Sequence, residues 1–217
     1  MIRKRYTLSN LSASNNVCTW GISYYKFRIK FNFLFLKKIL ALKKIKTPRL
    51  NIRSLSSIDN RFIFELLNSE DFIKNIGNRY IKTADEAKSY INKILKNKYI
   101  EYNVIEKIDT STPIGILSYV KRDYLEIHDF GFALLPEYYG NGYALEASNA
   151  YLENLFVKKD ILKVAAISKN DNKPSLKLLE KLGFEFSREI KYEKELIQVF
   201  ILSQNKFLAN LNWTLLF

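Results

Sequence analysis

The stretch Leu134-Leu135-Pro136-Glu137-Tyr138-Tyr139-Gly140-Asn141-Gly142-Tyr143-Ala144 decides how this 217-residue chain is read. An apolar strand runs into a proline, then a turn with two glycines, then an apolar-periodic stretch from about 141 to 157 that reads as a helix. That order gathers backbone N–H groups at a helix N-terminus, where they lack intrahelical acceptors. The positive end of the helix dipole adds to them, and the combination suits a phosphate. Gly140 and Gly142 have no Cβ, so a ligand can approach the main chain closely there.

A dinucleotide is one phosphate ligand to weigh. Gly140-x-Gly142 lacks the third glycine of that fingerprint, since Leu145 stands in its place, and the turn does not open the domain. Asp160 follows about 20 residues later, but it precedes the next strand instead of ending it. No G-x-x-x-x-G-K-[ST] loop occurs either. A plain helix-entry turn would account for one glycine and leave the other unexplained.

Composition narrows the classes further. The chain has one cysteine, Cys18, and one histidine, His128, so neither an internal disulfide framework nor a zinc cluster can be assembled. No metal is expected, and the cysteine usage fits a reducing, cytoplasmic setting. A net charge of +13 invites a nucleic-acid reading until the charge is located. Residues 1–46 hold 11 Lys/Arg and no acidic residue, which leaves 24 basic and 22 acidic residues in the rest. The body is thus near neutrality, with no nucleic acid expected for it, and the excess belongs to a basic leader.

That leader has three readings. It is an extension outside the fold with the Asn, Lys, Ile, Phe and Tyr bias of AT-rich coding, a basic amphipathic helix on a membrane or polyanion, or a targeting segment. Its apolar run, Phe31 to Leu36, is too short to span a bilayer, which needs about 20 residues.

The body begins at Thr47-Pro48-Arg49-Leu50, and residues 49–55 alternate as a first strand. Ser57 and Asp59 offer caps for a helix over Phe62–Leu67, and Thr83-Ala84-Asp85-Glu86 reads as a capping box for a second helix. Strands are predicted at 100–106, 113–121 and 126–135, and, after the helix that follows the glycine turn, at Ile161–Ser168. A helix at 174–182 ends at Gly183, and Phe184–Lys191 with Leu196–Ser203 reads as a closing hairpin around Lys194-Glu195. With no repeat and no linker inside 47–207, this is one α+β domain, followed by a short tail at 208–217.

Four blocks in order carry a family resemblance: Thr47–Arg53, Gly131–Ala147, Asn172-Lys173-Pro174-Ser175 and Leu178–Phe184. Together they resemble the GNAT acyltransferases, in the branch similar to ribosomal-protein N-terminal acetyltransferases. The resemblance spans about 47–205. It implies a mixed, mostly antiparallel twisted sheet flanked by helices, with acetyl-CoA as cosubstrate and a primary amine, on a small molecule or a protein N-terminus, as acceptor. Glu137 departs from the family's Gln or Arg in Q/R-x-x-G-x-G/A. The ligand is held there mostly by main-chain amides, so CoA binding is still expected.

By the same resemblance, the strand ending at Leu134-Leu135 splays from Ile161–Ser168 and receives the pantetheine arm as a pseudo-strand. Leu134, Leu135, Gly140, Asn141, Gly142, Tyr143, Ala144, Asn172 and Ser175 are the implied cofactor contacts. Tyr138, Tyr139 and Tyr143 cluster at the turn as further walls.

An ammonium acceptor must lose a proton, since an α-amine titrates near pH 8 and lysine near 10.4. Glu126, His128 and Asp129 precede the glycine turn, and Asp129 aligns with a carboxylate of the branch, so it is the expected base. His128 would point to the opposite face and is read as an ordinary surface or packed histidine. The family's leaving-group tyrosine has no counterpart, because Leu178 and Leu179 stand there, and Ser175 is the nearest hydroxyl by family logic. An amide near Leu135 is the expected oxyanion donor. Arg79 and Arg122 are candidates to face an acceptor carboxylate or phosphate. The alternatives are a catalytically inactive CoA-binding module and a binder of nucleic acid or membrane through the leader, as monomer or homodimer.

Overall fold

The computed structural model describes residues 44–192 and 195–214. The three readings of the leader therefore lie outside the described residues as far as Lys43, as does Lys194 in the hairpin turn. One eight-stranded sheet organises the rest, in the order β1-β2-β3-β4-β5-β6-β8-β7. Its strands are β1 Ile45–Lys46, β2 Leu50–Ser54, β3 Ile100–Lys107, β4 Pro113–Val120, β5 Asp129–Leu134, β6 Lys163–Lys169, β7 Glu185–Tyr192 and β8 Glu195–Ser203. Every pairing is antiparallel except β5 with β6. This is the mixed, mostly antiparallel sheet the sequence implied.

Six α-helices flank it: α1 Asn60–Asn68, α2 Glu70–Asn75, α3 Ala84–Lys96, α4 Tyr143–Glu153, α5 Lys173–Lys181 and α6 Gln204–Thr214. Each of the four predicted helices is present. Thr83 Oγ1 accepts from the Glu86 amide at 3.1 Å, and Glu86 reaches back to the Lys82 amide at 2.6 Å, which fixes the start of α3. Gly183 follows α5 with φ 86°, a left-handed stop that a side chain would resist.

Three boundaries differ from the sequence reading. Ile45 and Lys46 belong to the sheet, pairing with Ile52 and Asn51, so the extension stops before them. Residues 208–214 are not a tail but continue α6, which Phe207 anchors at 2% exposure. Helix α2 was not predicted; Ser69 caps it by accepting from the Phe72 amide, a short-range signal hidden by its six-residue length.

Alternation along the strands divides the core between two faces. On one face, Phe130 and Leu134 of β5 pack with Ala147, Tyr151, Leu155 and Leu179 from α4, its continuation and α5. On the other, Val104 and Ile116 pack with Ile63, Leu66, Ala87 and Ile91 from α1 and α3. Helices α4 and α5 therefore close the first face beneath β5 and β6. The second face is covered by these helices over β3 and β4, and near the start of β5 by a smaller cluster of Leu125, Ala165 and Val199.

Candidate functional site

Strands β5 and β6 run parallel yet share a single register pair, Asp129 with Ala165, secured by the Ala165 amide donating to the His128 carbonyl at 2.9 Å. Beyond that apex they diverge. The Leu135 amide donates to the Ile114 carbonyl at 2.9 Å, so Leu135, Ala133 and Gly131 turn their main-chain groups toward β4. Alternation then aims those of Phe132 and Leu134 into the gap. The main-chain groups of Leu134 thus face the gap. The Leu135 amide is already committed to β4 and cannot be an oxyanion donor, which corrects that expectation.

At the open end, Pro136–Tyr138 forms a short 3-10 turn, and Gly140 and Gly142 adopt φ 75° and 77° before α4 begins. A Cβ at Gly140 would meet nothing, and one at Gly142 would lie 3.5 Å from Arg49 Nη2. The glycines are therefore required by the left-handed backbone more than by a close contact. The amides of Gly140, Asn141, Gly142, Tyr143, Ala144 and Leu145 donate to no acceptor among the described residues. Six free donors at the positive end of an eleven-residue helix form a site suited to a phosphate.

A brace that the sequence did not reveal holds this turn. Glu146, in the first turn of α4, accepts from Thr47 Oγ1 at 2.5 Å, from the Arg49 amide at 3.0 Å and from Arg49 Nε at 2.7 Å. Arg49 Nη1 also donates to the Asn141 carbonyl at 3.0 Å, and the guanidinium lies 4.6 Å from the Tyr143 ring centroid. Burial acts to raise the Glu146 pKa, but the Thr47 and Arg49 bonds outweigh it and hold the group below the ordinary carboxylate value. A carboxylate here would otherwise repel a phosphate, and Arg49 neutralises it.

Helix α5 starts beside the C-terminal end of β6. Asn172 caps it, its Oδ1 accepting from the Ser175 amide at 3.2 Å. Ser175 is therefore not the capping residue, and its hydroxyl has no hydrogen bond among the described residues. Leu179 is 1% exposed, built into the core.

At the apex, on the face away from α4, Asp129 is 2% exposed and Arg122 Nε donates to its Oδ2 at 2.6 Å. Oδ1 makes no hydrogen bond of ordinary geometry, although the Ile167 amide lies near enough to favour the charged form. Burial pushes the Asp129 pKa up to about 6 against the pull of Arg122. Tyr102 packs on this same face, within electrostatic reach of Arg79 and Arg122. Burial and the neighbouring Tyr90 raise the Tyr102 pKa, while both arginines pull it down. His128 stacks on Tyr119 with centroids 4.6 Å apart, and Glu126 is exposed, so neither adjoins Asp129's carboxylate. Tyr138 and Tyr143 pack partly into the core, while Tyr139 stands 47% exposed beside Asp71.

Residues 49–185 match the family described as an acetyltransferase (GNAT) domain. The chain belongs to the GNAT family. The uncharacterized N-acetyltransferase YnaD of Bacillus subtilis (strain 168) is 28% identical over 139 residues, covering 64% of this chain and 81% of the relative. YkkB of the same organism, also uncharacterized, is 25% identical over 163 residues, covering 72% and 94%.

Among solved structures, spermidine N-acetyltransferase from Vibrio cholerae, in complex with CoA and spermine, superposes with a TM-score of 0.65. It is 22% identical, with 75% of this chain and 99% of that one covered. A putative ribosomal-protein-serine acetyltransferase from Vibrio cholerae gives a TM-score of 0.61 at 18% identity, covering 74% and 97%. At these identities the two structures establish a shared fold. Family membership makes this GNAT domain an acetyl-CoA-dependent N-acetyltransferase.

The family identity gives the geometry a common logic. The four sequence blocks converge on one gap: the first and second are joined by the Glu146 brace, the third caps α5, and the fourth closes the core beneath. Among the described residues no three His, Cys, Asp or Glu side chains gather as a metal site. No described helix is long and apolar enough to cross a membrane.

Proposed function

We propose that this GNAT enzyme transfers an acetyl group from acetyl-CoA to a primary amine by direct attack on the thioester. The observation that carries the reading is the splayed β5–β6 gap, which runs from six free amides at one end to a buried carboxylate at the other. The pyrophosphate fits the amides of Gly140–Leu145, with Asn141, Gly142, Tyr143 and Ala144 lining it, and the pantetheine takes the free edge at Phe132 and Leu134. Asn172 and Ser175 border the thioester end of that path from β6.

With α4 and α5 closing one face, the acceptor approaches from the other, where Asp129 lies. The amine nitrogen attacks the carbonyl carbon, and the oxyanion is met by the Phe132 amide, which faces the gap. The nitrogen's surplus proton passes to Asp129 through one water, because the carboxylate is too buried for direct contact. Its pKa of about 6 lets it stay ionised near neutrality while remaining basic enough to take a proton. Arg122 favours that ionised form. The C–S bond then breaks, and the sulfur departs beside the Ser175 hydroxyl and the positive end of α5.

Thiol release from acetyl-CoA with a panel of primary amines, alongside calorimetric CoA binding, tests this reading. Amine-dependent release is expected. Tight CoA binding with no release for any acceptor would replace the enzyme with a CoA-binding module.

A further inference from the structure

Helix α2 is set apart from the other helices of the second face by how little fastens it. It has six residues, and Phe72 is its one buried side chain. Ile73 and Ile76, the last just past its end, are 36% and 42% exposed. Both of its ends are jointed: Ser69 enters it in an extended conformation, and Gly77 follows it at φ 113°. A helix this short does not hold itself in water, so its place depends on contacts made outside it.

Those contacts lie on both sides of the β5–β6 gap. On one side, Phe72 packs in the cluster that holds Val104 of β3, Ile116 of β4 and Leu135 just after β5. On the other, the Lys74 carbonyl accepts from Lys169 Nζ at 3.1 Å, and Lys169 is the last residue of β6. Lys169 alternates in step with Ala165, the partner of Asp129, so its side chain leaves β6 on the Asp129 face. It stands four residues past that pair, about 13 Å along the strand, where β5 and β6 have already parted. The last turn of α2 therefore crosses the gap on this face. The same Nζ donates to Glu195, the first residue of β8, at 2.8 Å. One ammonium thus ties α2 to β6 and β8, and among the described residues no other hydrogen bond does so.

We infer that α2 is a strap across the cofactor channel and Lys169 its fastening, so that CoA enters and leaves the β5–β6 gap when the Lys169 bridge opens. The inference rests on the transferase reading above, which lays the pantetheine in that gap. With the strap closed, the arm runs between α4 and α5 on one face and α2 on the other, and acceptor entry is confined to the Asp129 end. The bridge is suited to opening. Its ion pair is partly exposed, 27% at Lys169 and 55% at Glu195, and such pairs hold weakly. Once it parts, α2 keeps a single buried phenyl ring as its anchor.

Stopped-flow binding of a fluorescently labelled CoA to the full chain tests it. In Lys169→Met, association and dissociation should both quicken by about 3- to 10-fold, the scale of one charge-assisted bond and one exposed ion pair, so that Kd moves by less than about threefold. Glu195→Gln keeps the Lys74 bond and should shift both rates the same way by a smaller factor, which preserves the test if Lys169→Met fails to fold. Hydrogen exchange supplies a second readout at the Ile73, Ile76 and Gly77 amides, which bond to the Ser69 and Phe72 carbonyls. Their exchange should quicken in Lys169→Met and slow in wild type when CoA is bound. Rates within twofold of wild type in both variants, with CoA binding intact, would overturn the strap alone. Faster dissociation with unchanged association and unchanged exchange would also overturn it and make Lys169 a direct ligand of the cofactor. A wild-type chain that binds no CoA by calorimetry would overturn the transferase reading and this inference with it.

Discussion

The two ends of the β5–β6 gap are built from different material. The end assigned to the phosphates is main chain: six amides, two glycines at positive φ and a helix N-terminus. The end assigned to the acceptor is side chain: Asp129 of β5 and Arg122 of the loop before it, which the fold brings together. Main-chain recognition tolerates substitution as long as the turn keeps its shape, and Glu137 in place of Gln or Arg is an instance. Side-chain recognition changes with each residue, so the acceptor end can diverge while the cofactor end persists.

Asp129 offers the strongest way to break this division. Asp129→Asn should lower kcat by a factor of about 10²–10⁴ with CoA affinity nearly intact, because the change falls on one end only. The wild-type rate should rise through pH 6 as Asp129 ionises, and that acid limb should vanish in the variant. Stability supplies an independent readout. The folded pKa lies above the unfolded value, so the contribution is fully present below the unfolded value of 3.8 and lost as pH rises through about 6. Wild-type stability relative to the variant should fall by roughly 2–3 kcal/mol between pH 4 and 7, measured by denaturation at each pH. An unchanged kcat with unchanged pH dependence would remove Asp129 from the chemistry.

Gly142→Val probes the opposite end. A β-branched residue at φ 77° carries strain of about 1–3 kcal/mol, and relieving it would turn the free amides away from the phosphate. CoA affinity should fall by about 10- to 100-fold by calorimetry. Affinity within twofold of wild type would mean that the amides are not the phosphate site.

What could be read from sequence follows the same division. The glycine turn and the Gly183 stop are local features, each decided within a few residues, and both stand where they were read. The Glu146 brace joins residues 97 and 99 positions apart, and no spacing rule connects them before the topology is known. Arg122 was recognised singly as a candidate anion ligand, and its bond to Asp129 depends on how the loop between β4 and β5 returns. Asp129 was read as a base without its burial, because burial depends on the loop that returns from Arg122. The extent of α6 was hidden by Asn205, Asn210 and Asn212, which are weak helix formers held in place by tertiary context.

The brace ranks next in expected effect. Glu146→Gln weakens a set of charge-assisted bonds on a partly exposed pair, worth about 1–2 kcal/mol together. KM for acetyl-CoA should rise roughly tenfold while kcat at saturation changes little. The wild-type carboxylate has a lowered folded pKa, so its contribution is present above the unfolded value of 4.5 and lost as pH falls through the folded one. Glu146→Gln should therefore lose less thermal stability than wild type on acidification, and a fall in kcat matching the rise in KM would place the brace in the chemistry instead.

His128 marks the smallest effect and the sharpest boundary. It neighbours Asp129 in sequence, yet its ring stacks on Tyr119 with planes 11° apart, on the face that α4 closes. Partial burial and then Lys121 lower its pKa, so near neutrality it is uncharged and contributes no ion pair. His128→Gln should cost at most about 1 kcal/mol of stability, the scale of a lost aromatic contact. The acid limb near pH 6 should stay in place, because it belongs to Asp129. An imidazole titrates near that same pH, so the limb alone cannot identify its owner, and this pair of variants can. A limb that moves in His128→Gln and survives in Asp129→Asn would exchange the two roles and place proton acceptance on the closed face, against the direction of acceptor entry argued from the fold.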